Sequence, residues 1–585
     1  MPIRREGATF TTSWGSRSTV RCNLTDSPHW ERPLLAVLLL ALAAGLVYEA
    51  RYTGLTVDEP VHVLSAALYW QAADQLKPRD LAPAIKIVGG WVPRVLGLPV
   101  PRDHPAWKKQ EAWWAAVVMM DRFKRQRSNR LFFLARLPML VFPLLTAWLL
   151  WRWGRQLYGG LVALLLVLLF AVEPSALGHG ALFKNDLAAT CAYFWFWYRA
   201  WRFWKWPGLG NALWLGCALL AAVLSKLSML VLVPALPLII VARAARGTVL
   251  RRSQAAAAFL LATVLAYLGA LAASQFEARR LTRADLEALE QARLPGALVA
   301  TGQVFRLLPA PIPLWEGAVS LWRSNNAEGN RTYMLGRQRP RGDRLYFLLA
   351  LAVKTPVALQ ILLLAGSLCL LLRQARRQLE PADLFWLLPP WLYLALSSLS
   401  TLQLGIRLVL PALPFGLLIS GCALQQLREK RRLWLAVLLV AGTAVESFRI
   451  FFHGISFFNL WAGGPDNGLK YLADSNLDWG QDLPLLRNRF DELKIRKLRL
   501  SYFGTDNPWR YFTDRELELI APPWNDELAA GKRVLEPRPG YYAISATLLA
   551  GHLFKPQYRC FYSRFLAMKP IAKAGYSIFI YRVGS

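Results

Sequence analysis

Long apolar runs alternate with short polar connections along the first 450 residues of this 585-residue chain. Several runs are shorter than the ~20 residues that a straight membrane span needs, so their ends extend into flanking polar residues. The pattern predicts an all-α polytopic membrane protein with about 11 transmembrane helices. The predicted spans are Leu34–Tyr48, Leu131–Trp151, Leu161–Leu177, Leu187–Trp204, Ala212–Leu224, Met229–Val241, Ala255–Ala273, Leu345–Leu372, Leu384–Leu396, Ile406–Cys422 and Leu433–Val445.

The basic residues of the connections predict the orientation. Arginines and lysines precede the first run and follow every even-numbered run, and short cytoplasmic loops are enriched in these residues. The N-terminus is therefore expected inside, and the C-terminus and the loops 49–130 and 274–344 outside. The basic residues are Arg4, Arg5, Arg17, Arg21 and Arg32, then Arg152 and Arg155, Arg199, Arg202 and Lys205, Arg243, Arg246, Arg251 and Arg252, Arg373, Arg376 and Arg377, and Arg428, Lys430, Arg431 and Arg432.

The last part of the chain changes character. The runs Leu498–Phe503, Tyr541–Leu548 and Tyr576–Val583 are rich in β-branched and aromatic residues, and Leu483–Leu493 has a helical pattern. These features predict a small extracytoplasmic α/β domain. We expect a cytoplasmic tail at 1–33, a membrane domain at 34–450 and the α/β domain at 451–585.

Composition narrows the function. The formal net charge is +32, but the basic residues are spread over loops on both faces, which argues against nucleic-acid binding. Only Cys560 of the six cysteines lies in a predicted outer segment, so no intrachain disulfide is expected there. The sequence contains no Asp-x-Asp, P-loop, GxGxxG or CxxC motif.

An acidic pair follows the first span, in the sequence Thr56-Val57-Asp58-Glu59-Pro60-Val61-His62. An aspartate near an apolar boundary can act as a general base for a hydroxyl. Alternatively, Asp58 and Glu59 only begin an amphipathic helix at Val61–Ala73, with a proline in its first turn and acids that favour its dipole. The residues alone leave both readings open.

A second polar stretch, residues 173–186, contains His179 and Asp186. These two residues are too few for a metal site. A surface histidine and an aspartate that caps the next helix are the simpler alternatives.

Charges within or at the ends of predicted spans are a further signal, because a charge in the bilayer core is costly and is usually functional. Lys354 lies well inside the eighth span, before Pro356, which should open the helix backbone there. Arg407 lies near the outer end of the tenth span, and Lys226 and Arg136 lie at the outer face. Snorkelling to lipid headgroups is the alternative for Lys226 and Arg136.

The segment Asp474–Asp482 precedes the helix of the C-terminal domain. Asp478 and Gln481 have the spacing of a capping box, which accounts for them without a functional role.

In order and spacing, these residues resemble the GT-C glycosyltransferases of the protein O-mannosyltransferase and lipid A aminoarabinose transferase group, which use a phospholipid sugar carrier. Three positions depart from the pattern of that group. Glu173-Pro174 replaces Asp-Pro, Asn185-Asp186 replaces Thr-Asp, and Ala82-Pro83-Ala84 replaces His-Pro-Pro. The resemblance rests on Asp58-Glu59, Lys86, Ala135-Arg136-Leu137, His179-Gly180 with Asp186, Lys226, Lys354-Thr355-Pro356, Arg407 with Leu410-Pro411 and Pro414-Phe415, and Asn459 to Asp482.

The resemblance implies a GT-C fold and inverting transfer of a sugar from a polyprenyl-phosphate (undecaprenyl-phosphate) donor, at the outer face of a bacterial cytoplasmic membrane. The acceptor would be a protein hydroxyl, lipid A or another envelope glycan or lipid. No nucleotide or catalytic metal is required. The implied catalytic residues are Asp58 and Glu59, the implied donor-phosphate ligands are Lys86, Arg136, Lys226, Lys354 and Arg407, and the implied cavity-lining residues are His179 and Asp186.

Two other functions fit a membrane protein of this kind. A flippase or transporter of lipid-linked sugars should have two similar halves with broken helices, and the sequence has no such repeat. A scaffold that only presents the C-terminal domain predicts no effect of Asp58→Asn.

Overall fold

The structure is a computed structural model that describes residues 29–70, 81–122, 125–246, 252–291, 296–327, 330–450 and 453–584. Most of the predicted N-terminal tail lies outside these residues. The predictions that fall outside them concern Arg4, Arg5, Arg17, Arg21, Cys22 and Arg251.

Each of the predicted spans coincides with helical segments, and the protein is an integral membrane protein. Among the described residues, six helices are long and apolar enough to cross a bilayer by length and composition. A bent pair, Gly160–Val172 and Pro174–Gly180, with an angle of 61°, forms a seventh such segment. The six helices are Glu31–Tyr52, Asn129–Tyr158, Leu227–Ala245, Ser253–Ala273, Val357–Ala375 and Ile406–Glu429.

The remaining predicted spans fall on helices that are shorter or more polar. Leu209–Ser225, Leu384–Ser398 and Leu433–Phe448 have 17, 15 and 16 residues. Asp186–Lys205 is long enough but carries Asp186, Arg199, Arg202 and Lys205. Length and composition therefore support six or seven spans, and the larger number of about 11 stays a prediction.

Pro356 breaks the eighth predicted span into the helices Tyr346–Lys354 and Val357–Ala375, as the sequence predicts. Side chains of the chain's later segments satisfy the backbone groups at the break. Asn459 donates to the carbonyl oxygens of residues 352 and 355, and the Glu446 carboxylate accepts the N–H of residue 357.

Small residues let the membrane helices pack closely. A Cβ on Gly366 would lie 2.1 Å from the carbonyl oxygen of Ile419, and one on Gly216 would lie 2.7 Å from the Cα of Ala262. Backbones that approach this closely are typical of helix pairs in membranes. These contacts join Val357–Ala375 to the tenth span, and Leu209–Ser225 to the helix Arg252–Ala273.

The first long loop, between the first two membrane helices, forms a helical layer with its own apolar core. Its first helix begins at Glu59, two residues before the predicted start, and is described to Tyr69. Trp70 is the C-cap of this helix, and residues 71–73 of the predicted Val61–Ala73 helix lie outside the described residues. The other helices are Ala84–Gly89, Trp91–Val95, Pro105–Lys108 and Ala112–Asp121, and the helix Arg125–Arg136 leads from the loop into the second membrane helix.

The second long loop combines three helices with two short pairs of antiparallel strands. Strands β1 (Ala278–Arg279) and β2 (Ala310–Pro311) pair with each other, as do β3 (Arg331–Met334) and β4 (Arg337–Pro340). The helices are Arg283–Gln291, Gly296–Leu307 and Ile312–Asn325.

The C-terminal segment forms the predicted α/β domain, with a five-stranded sheet of order β6-β5-β7-β9-β8. Strand β5 is parallel to β6 and β7, and β9 is antiparallel to β7 and β8. The helix Leu483–Glu492 covers the sheet, as predicted. The strands are β5 (Leu498–Ser501), β6 (Leu517–Leu519), β7 (Gly540–Ser545), β8 (Ala572–Ala574) and β9 (Ile578–Val583). The short helices of this region are Gly454–Ser456, Leu460–Ala462, Pro465–Lys470, Asp474–Asn476, Pro508–Arg510, Ala546–Ala550, Pro556–Tyr558 and Ser563–Leu566.

The predicted capping box is wrong. The helix begins at Leu483, without a side-chain cap. The Asp478 carboxylate instead accepts the backbone N–H groups of Thr547 and Gly480, and the Gln481 side chain accepts that of Trp479. The bond from Thr547, two residues after the end of strand β7, ties the segment Asp474–Asp482 to the sheet domain.

Candidate functional site

Asp58 lies where the loop after the first membrane helix meets three other segments. Its side chain is 24% exposed, and its Oδ2 atom lies 2.8 Å from the Lys184 Nζ and 3.7 Å from an Arg407 nitrogen. Burial by itself raises the pKa of Asp58, but Lys184 and Arg407 outweigh that effect and lower the pKa to about 2. Asp58 is therefore an ionised carboxylate that is both paired and accessible.

Glu59 points away from this site into a buried ion pair with Arg136, 2.6 Å long. The side chains are 0% and 2% exposed, and the five N–H groups of Arg136 all donate, to Glu59 and to the carbonyl oxygens of residues 50, 53 and 54. Glu59 also accepts the backbone N–H groups of Thr56 and Phe183.

The predicted catalytic role of Glu59 and the predicted phosphate-binding role of Arg136 do not fit this geometry. Neither side chain reaches the surface of the site, and Arg136 has no N–H group left for a ligand. The pair instead holds the loop that carries Asp58 against the segment before Lys184.

Lys184 is the main site residue that the sequence prediction missed. Its Nζ lies 2.8 Å from Asp58 and 2.7 Å from His62 Nε2, and 5.2 Å from the centre of the Trp479 ring. Burial lowers the pKa of His62 well below its usual value, and the nearby Lys184 charge lowers it further. His62 is therefore neutral and accepts a hydrogen bond from Lys184.

His62 could have been found from the sequence, because it lies four residues after Asp58 and so on the same helix face. Lys184 carries no comparable signal. It lies 126 positions from Asp58 along the chain, and only the fold brings the two together.

Asp186 and Lys226 form a second ion pair in the site, with 2.7 Å between Nζ and Oδ1. Arg407 lies 3.8 Å from the other oxygen of Asp186 and thus bridges it to Asp58. Asp186 is the first residue of its helix, with Asn185 before it, so it does not cap that helix. Both residues therefore lie in the site, and their predicted roles as a cavity-lining residue and a phosphate ligand stay predictions.

Arg407 is held in place by the segment Asp474–Asp482. Its Nε donates to the Ser475 hydroxyl at 3.0 Å, and its guanidinium lies 4.3 Å from the centre of the Trp479 ring. Gly405 has a φ of +132°, and a Cβ there would lie 2.4 Å from the Ser475 hydroxyl oxygen. Glycine is thus required for this close approach.

The site carries an excess positive charge. The charge of Lys86, which is 9% exposed, acts on His62 from the first long loop. The buried Asp474 lies near Arg407 and Asp58, and burial raises its pKa to about 6. Four cations, those of Lys86, Lys184, Lys226 and Arg407, therefore face three carboxyl groups.

His179 lies beside this cluster, and its predicted role in lining the cavity stays a prediction. Its ring centre is 5.9 Å from that of Trp479, and the charges of Asp186 and Arg407 act on it. Both ring nitrogens are buried and have no hydrogen-bond partner within the described part of the chain. Across the described residues, no group of three or more His, Cys, Asp or Glu side chains could hold a metal ion.

Lys354 does not join the cluster, so its predicted role as a phosphate ligand does not fit the structure. Its side chain is 1% exposed, and Nζ donates to the carbonyl oxygens of Ile455 and Asn476 at 2.7 and 2.6 Å. It thus anchors the segment that contains Ser475, the partner of Arg407.

An apolar cleft has Ile406, the residue before Arg407, among its lining residues. It has an empty volume of about 780 Å³, including its open mouth. Apart from Glu173 and Ser175 at one end, its walls are mostly aliphatic. The walls come from the tenth span, from both sides of the Pro356 break and from the helix Leu384–Ser398, and include Leu351, Leu359, Trp391, Leu394, Val409 and Leu413.

Comparison with solved structures gives long alignments at low similarity. ArnT from Cupriavidus metallidurans in the apo state is 13% identical, with 94% of this chain and 97% of that chain covered and a TM-score of 0.44. ArnT from Cupriavidus metallidurans bound to undecaprenyl phosphate is 13% identical, with 95% of this chain and 98% of that chain covered and a TM-score of 0.41. The Archaeoglobus fulgidus oligosaccharyltransferase, in its complex with Zn and sulfate, is 12% identical, with 88% of this chain and 68% of that chain covered and a TM-score of 0.40. At TM-scores below 0.5 these likenesses carry no argument about this chain.

Sequence comparison gives one informative match. No curated protein sequence matches the chain. A family model described as dolichyl-phosphate-mannose-protein mannosyltransferase matches residues 128–269, a segment that contains Lys184, Asp186 and Lys226 but neither Asp58 nor Arg407. Over residues 128–269 the chain is therefore similar to this mannosyltransferase family, which confirms for that segment the resemblance to lipid-carrier-dependent glycosyltransferases predicted from the motifs.

Proposed function

We propose that the protein is an inverting glycosyltransferase that moves a sugar from a polyprenyl-phosphate donor to an acceptor at the outer face of the cytoplasmic membrane. The observation that carries this proposal is the accessible Asp58 carboxylate, held between Lys184 and Arg407. The similarity of residues 128–269 to a mannosyltransferase family supports the same reaction class.

The donor is expected to bind with its phosphate among the cations and its chain in the apolar cleft. Lys184 and Arg407 are the nearest cations to Asp58, and Ile406, the residue before Arg407, lines the cleft. As the bond between the sugar and the phosphate breaks, negative charge develops on the departing polyprenyl phosphate. Cations that are already in place in a poorly hydrated site stabilise that charge without reorganisation.

Asp58 acts as the general base when the acceptor is a hydroxyl. In the resting site its low pKa makes it a weak base, because Lys184 and Arg407 stabilise its charged form. A donor phosphate that shares these two cations adds a negative charge nearby, which raises the pKa of Asp58. The carboxylate thus becomes a stronger base when the donor is present.

The transfer step then balances. The acceptor oxygen attacks the anomeric carbon while its proton passes to Asp58, and the bond from that carbon to the phosphate oxygen breaks. The electron pair leaves with polyprenyl phosphate. If the acceptor is itself a phosphate, no proton has to be removed, and Asp58 orients the acceptor instead.

The acceptor classes remain a protein hydroxyl, lipid A and another envelope glycan or lipid. The departures from the family pattern, at Glu173, Asn185 and Ala82–Ala84, lie in the segments that flank the site. We therefore infer that they bear on the acceptor rather than on the reaction.

The test is release of undecaprenyl phosphate by the purified full-length protein from a panel of undecaprenyl-phosphate sugars. With a hydroxyl acceptor, Asp58→Asn should lower kcat by roughly 10²–10⁴-fold, the usual contribution of a general base. Asp514→Asn, at an exposed position of the C-terminal domain, is the matched control and should keep full activity.

Undiminished turnover by Asp58→Asn would remove the base assignment. If no donor is turned over, but lipid-linked sugar crosses the membrane of vesicles that contain the protein, the flippase alternative replaces the transferase.

A further inference from the structure

A second polar cavity lies on the C-terminal domain, separate from the site around Asp58. It has an empty volume of about 1790 Å³, including its open mouth. Three elements form its walls: the segment from His453 to Lys470, the helix Leu483–Glu492 and the edge strand β8 with the turn that follows it. We call this cavity the C-terminal groove.

Polar bonds between the walls hold the groove open. Lys573 Nζ on β8 lies 3.0 Å from the Asp466 carboxylate and also donates to the Asp466 carbonyl oxygen. Arg489 on the helix donates to the Lys573 carbonyl oxygen and pairs with Glu492 at 2.6 Å. The groove therefore exists before any ligand enters.

The floor of the groove is a turn that a buried carboxylate supports. Asp482 is 2% exposed and accepts the backbone N–H groups of Tyr576 and Ser577. Gly575 has a φ of +53°, and a Cβ there would lie 2.1 Å from an Asp482 oxygen. The Tyr576 ring packs edge-on against His453, with 5.0 Å between the ring centres.

The groove has a positive charge that its own acids do not neutralise. Lys573 and Arg489 are paired with Asp466 and Glu492, as described. Lys470 and Lys569 also line the groove, and neither has a carboxylate partner within the described part of the chain. Two cations are thus available to an anionic ligand.

The groove lies close to the end of the last predicted span. The backbone N–H of Leu460 donates to the Glu446 carboxylate at 2.8 Å, in the last turn of the helix Leu433–Phe448. Leu460, Trp461 and Ile571 beside the groove are 56%, 71% and 48% exposed. Exposed tryptophan next to a membrane helix is typical of the lipid–water interface.

We propose that the C-terminal groove binds the phosphate-bearing headgroup of an anionic lipid in the leaflet next to it. Lys470 and Lys569 contact the phosphate, while Leu460, Trp461 and Ile571 contact the upper acyl chain region. Trp479, which packs on Arg407 and Lys184, lies three residues before Asp482. The headgroup would thus fix the C-terminal domain, and with it the segment that contains Trp479, to the bilayer.

The test is titration of the purified full-length protein in detergent with dioctanoyl phosphatidylglycerol, followed by native mass spectrometry. Saturable binding is expected for the wild type, with much weaker binding of dioctanoyl phosphatidylcholine. The double variant Lys470→Gln/Lys569→Gln should bind phosphatidylglycerol about thirtyfold more weakly, as expected for two basic residues at an anionic surface. The control Lys532→Gln/Lys555→Gln removes the same charge from exposed positions that do not line the groove and should bind like the wild type.

Three results would overturn the proposal. The first is equal binding by wild type and the Lys470/Lys569 variant, and the second is an equal loss in the control. The third is binding of glucose 1-phosphate with the same dependence on the two lysines but no binding of phosphatidylglycerol, which would assign the groove to a soluble sugar phosphate. Each readout is a binding constant, so the result does not depend on the proposed transferase activity.

Discussion

The substitution Lys184→Met tests the cation that the structure adds to the site. Methionine has a similar length but removes the charge and the hydrogen bonds to Asp58, at 2.8 Å, and to His62, at 2.7 Å. A hydrogen bond to a charged group contributes about 1.5–3 kcal/mol. Arg407 stays 3.7 Å from Asp58 and can still bind the donor phosphate, so only the contribution of Lys184 is lost. We expect donor binding to weaken by about 2 kcal/mol, which is about a thirtyfold rise in the dissociation constant.

The assay is the release of undecaprenyl phosphate as a function of donor concentration, with KM and kcat determined separately. The substitution should raise KM for the donor about thirtyfold. Lys184→Arg keeps the charge and should recover much of the affinity. Lys532→Met, at an exposed position of the C-terminal domain, should leave KM unchanged.

The pH dependence provides a second readout of the same change. Removing Lys184 takes away the nearest charge that stabilises the Asp58 carboxylate, so the pKa of Asp58 should rise from about 2. The acid limb of kcat/KM should then move to higher pH. An unchanged KM together with an unchanged acid limb would refute the assignment of Lys184 to the site.

Three further predictions concern the supports of the site. Arg136→Met leaves the buried Glu59 uncompensated and should lower the free energy of unfolding by roughly 3–5 kcal/mol, seen as a lower Tm, while the donor KM of the remaining folded protein stays unchanged. Gly405→Ala should lower both Tm and activity because of its positive φ and the short contact, whereas Gly208→Ala, where a Cβ meets no atom within 4 Å, should be neutral. Burial raises the pKa of Asp478 to about 8, so the native state favours the protonated form of this side chain. The stability that protonation contributes is lost as the pH rises toward 8. Between pH 5 and pH 9 the Tm of the wild type should therefore fall relative to the Tm of Asp478→Asn.

Much of the fold could be predicted from the sequence, because it follows from local patterns. The long apolar runs that exclude charge form helices, and the β-branched and aromatic runs after residue 497 form the central strands of the C-terminal sheet. Pro356 breaks its helix because proline lacks a backbone N–H. Asp58 could be singled out as an acid at the end of an apolar run.

The partners of the charged residues could not be predicted in this way. Asp58 and Glu59 are adjacent, but successive side chains of a helical turn point about 100° apart, so one faces the site and the other faces Arg136. Lys354 and Arg407 look alike as cations within predicted spans. Only the packing of the segment Asp474–Asp482 places one on backbone carbonyls and the other on Asp58 and Asp186. A charge in a poorly hydrated interior acts through the groups it touches, and those contacts join residues that lie far apart in the chain.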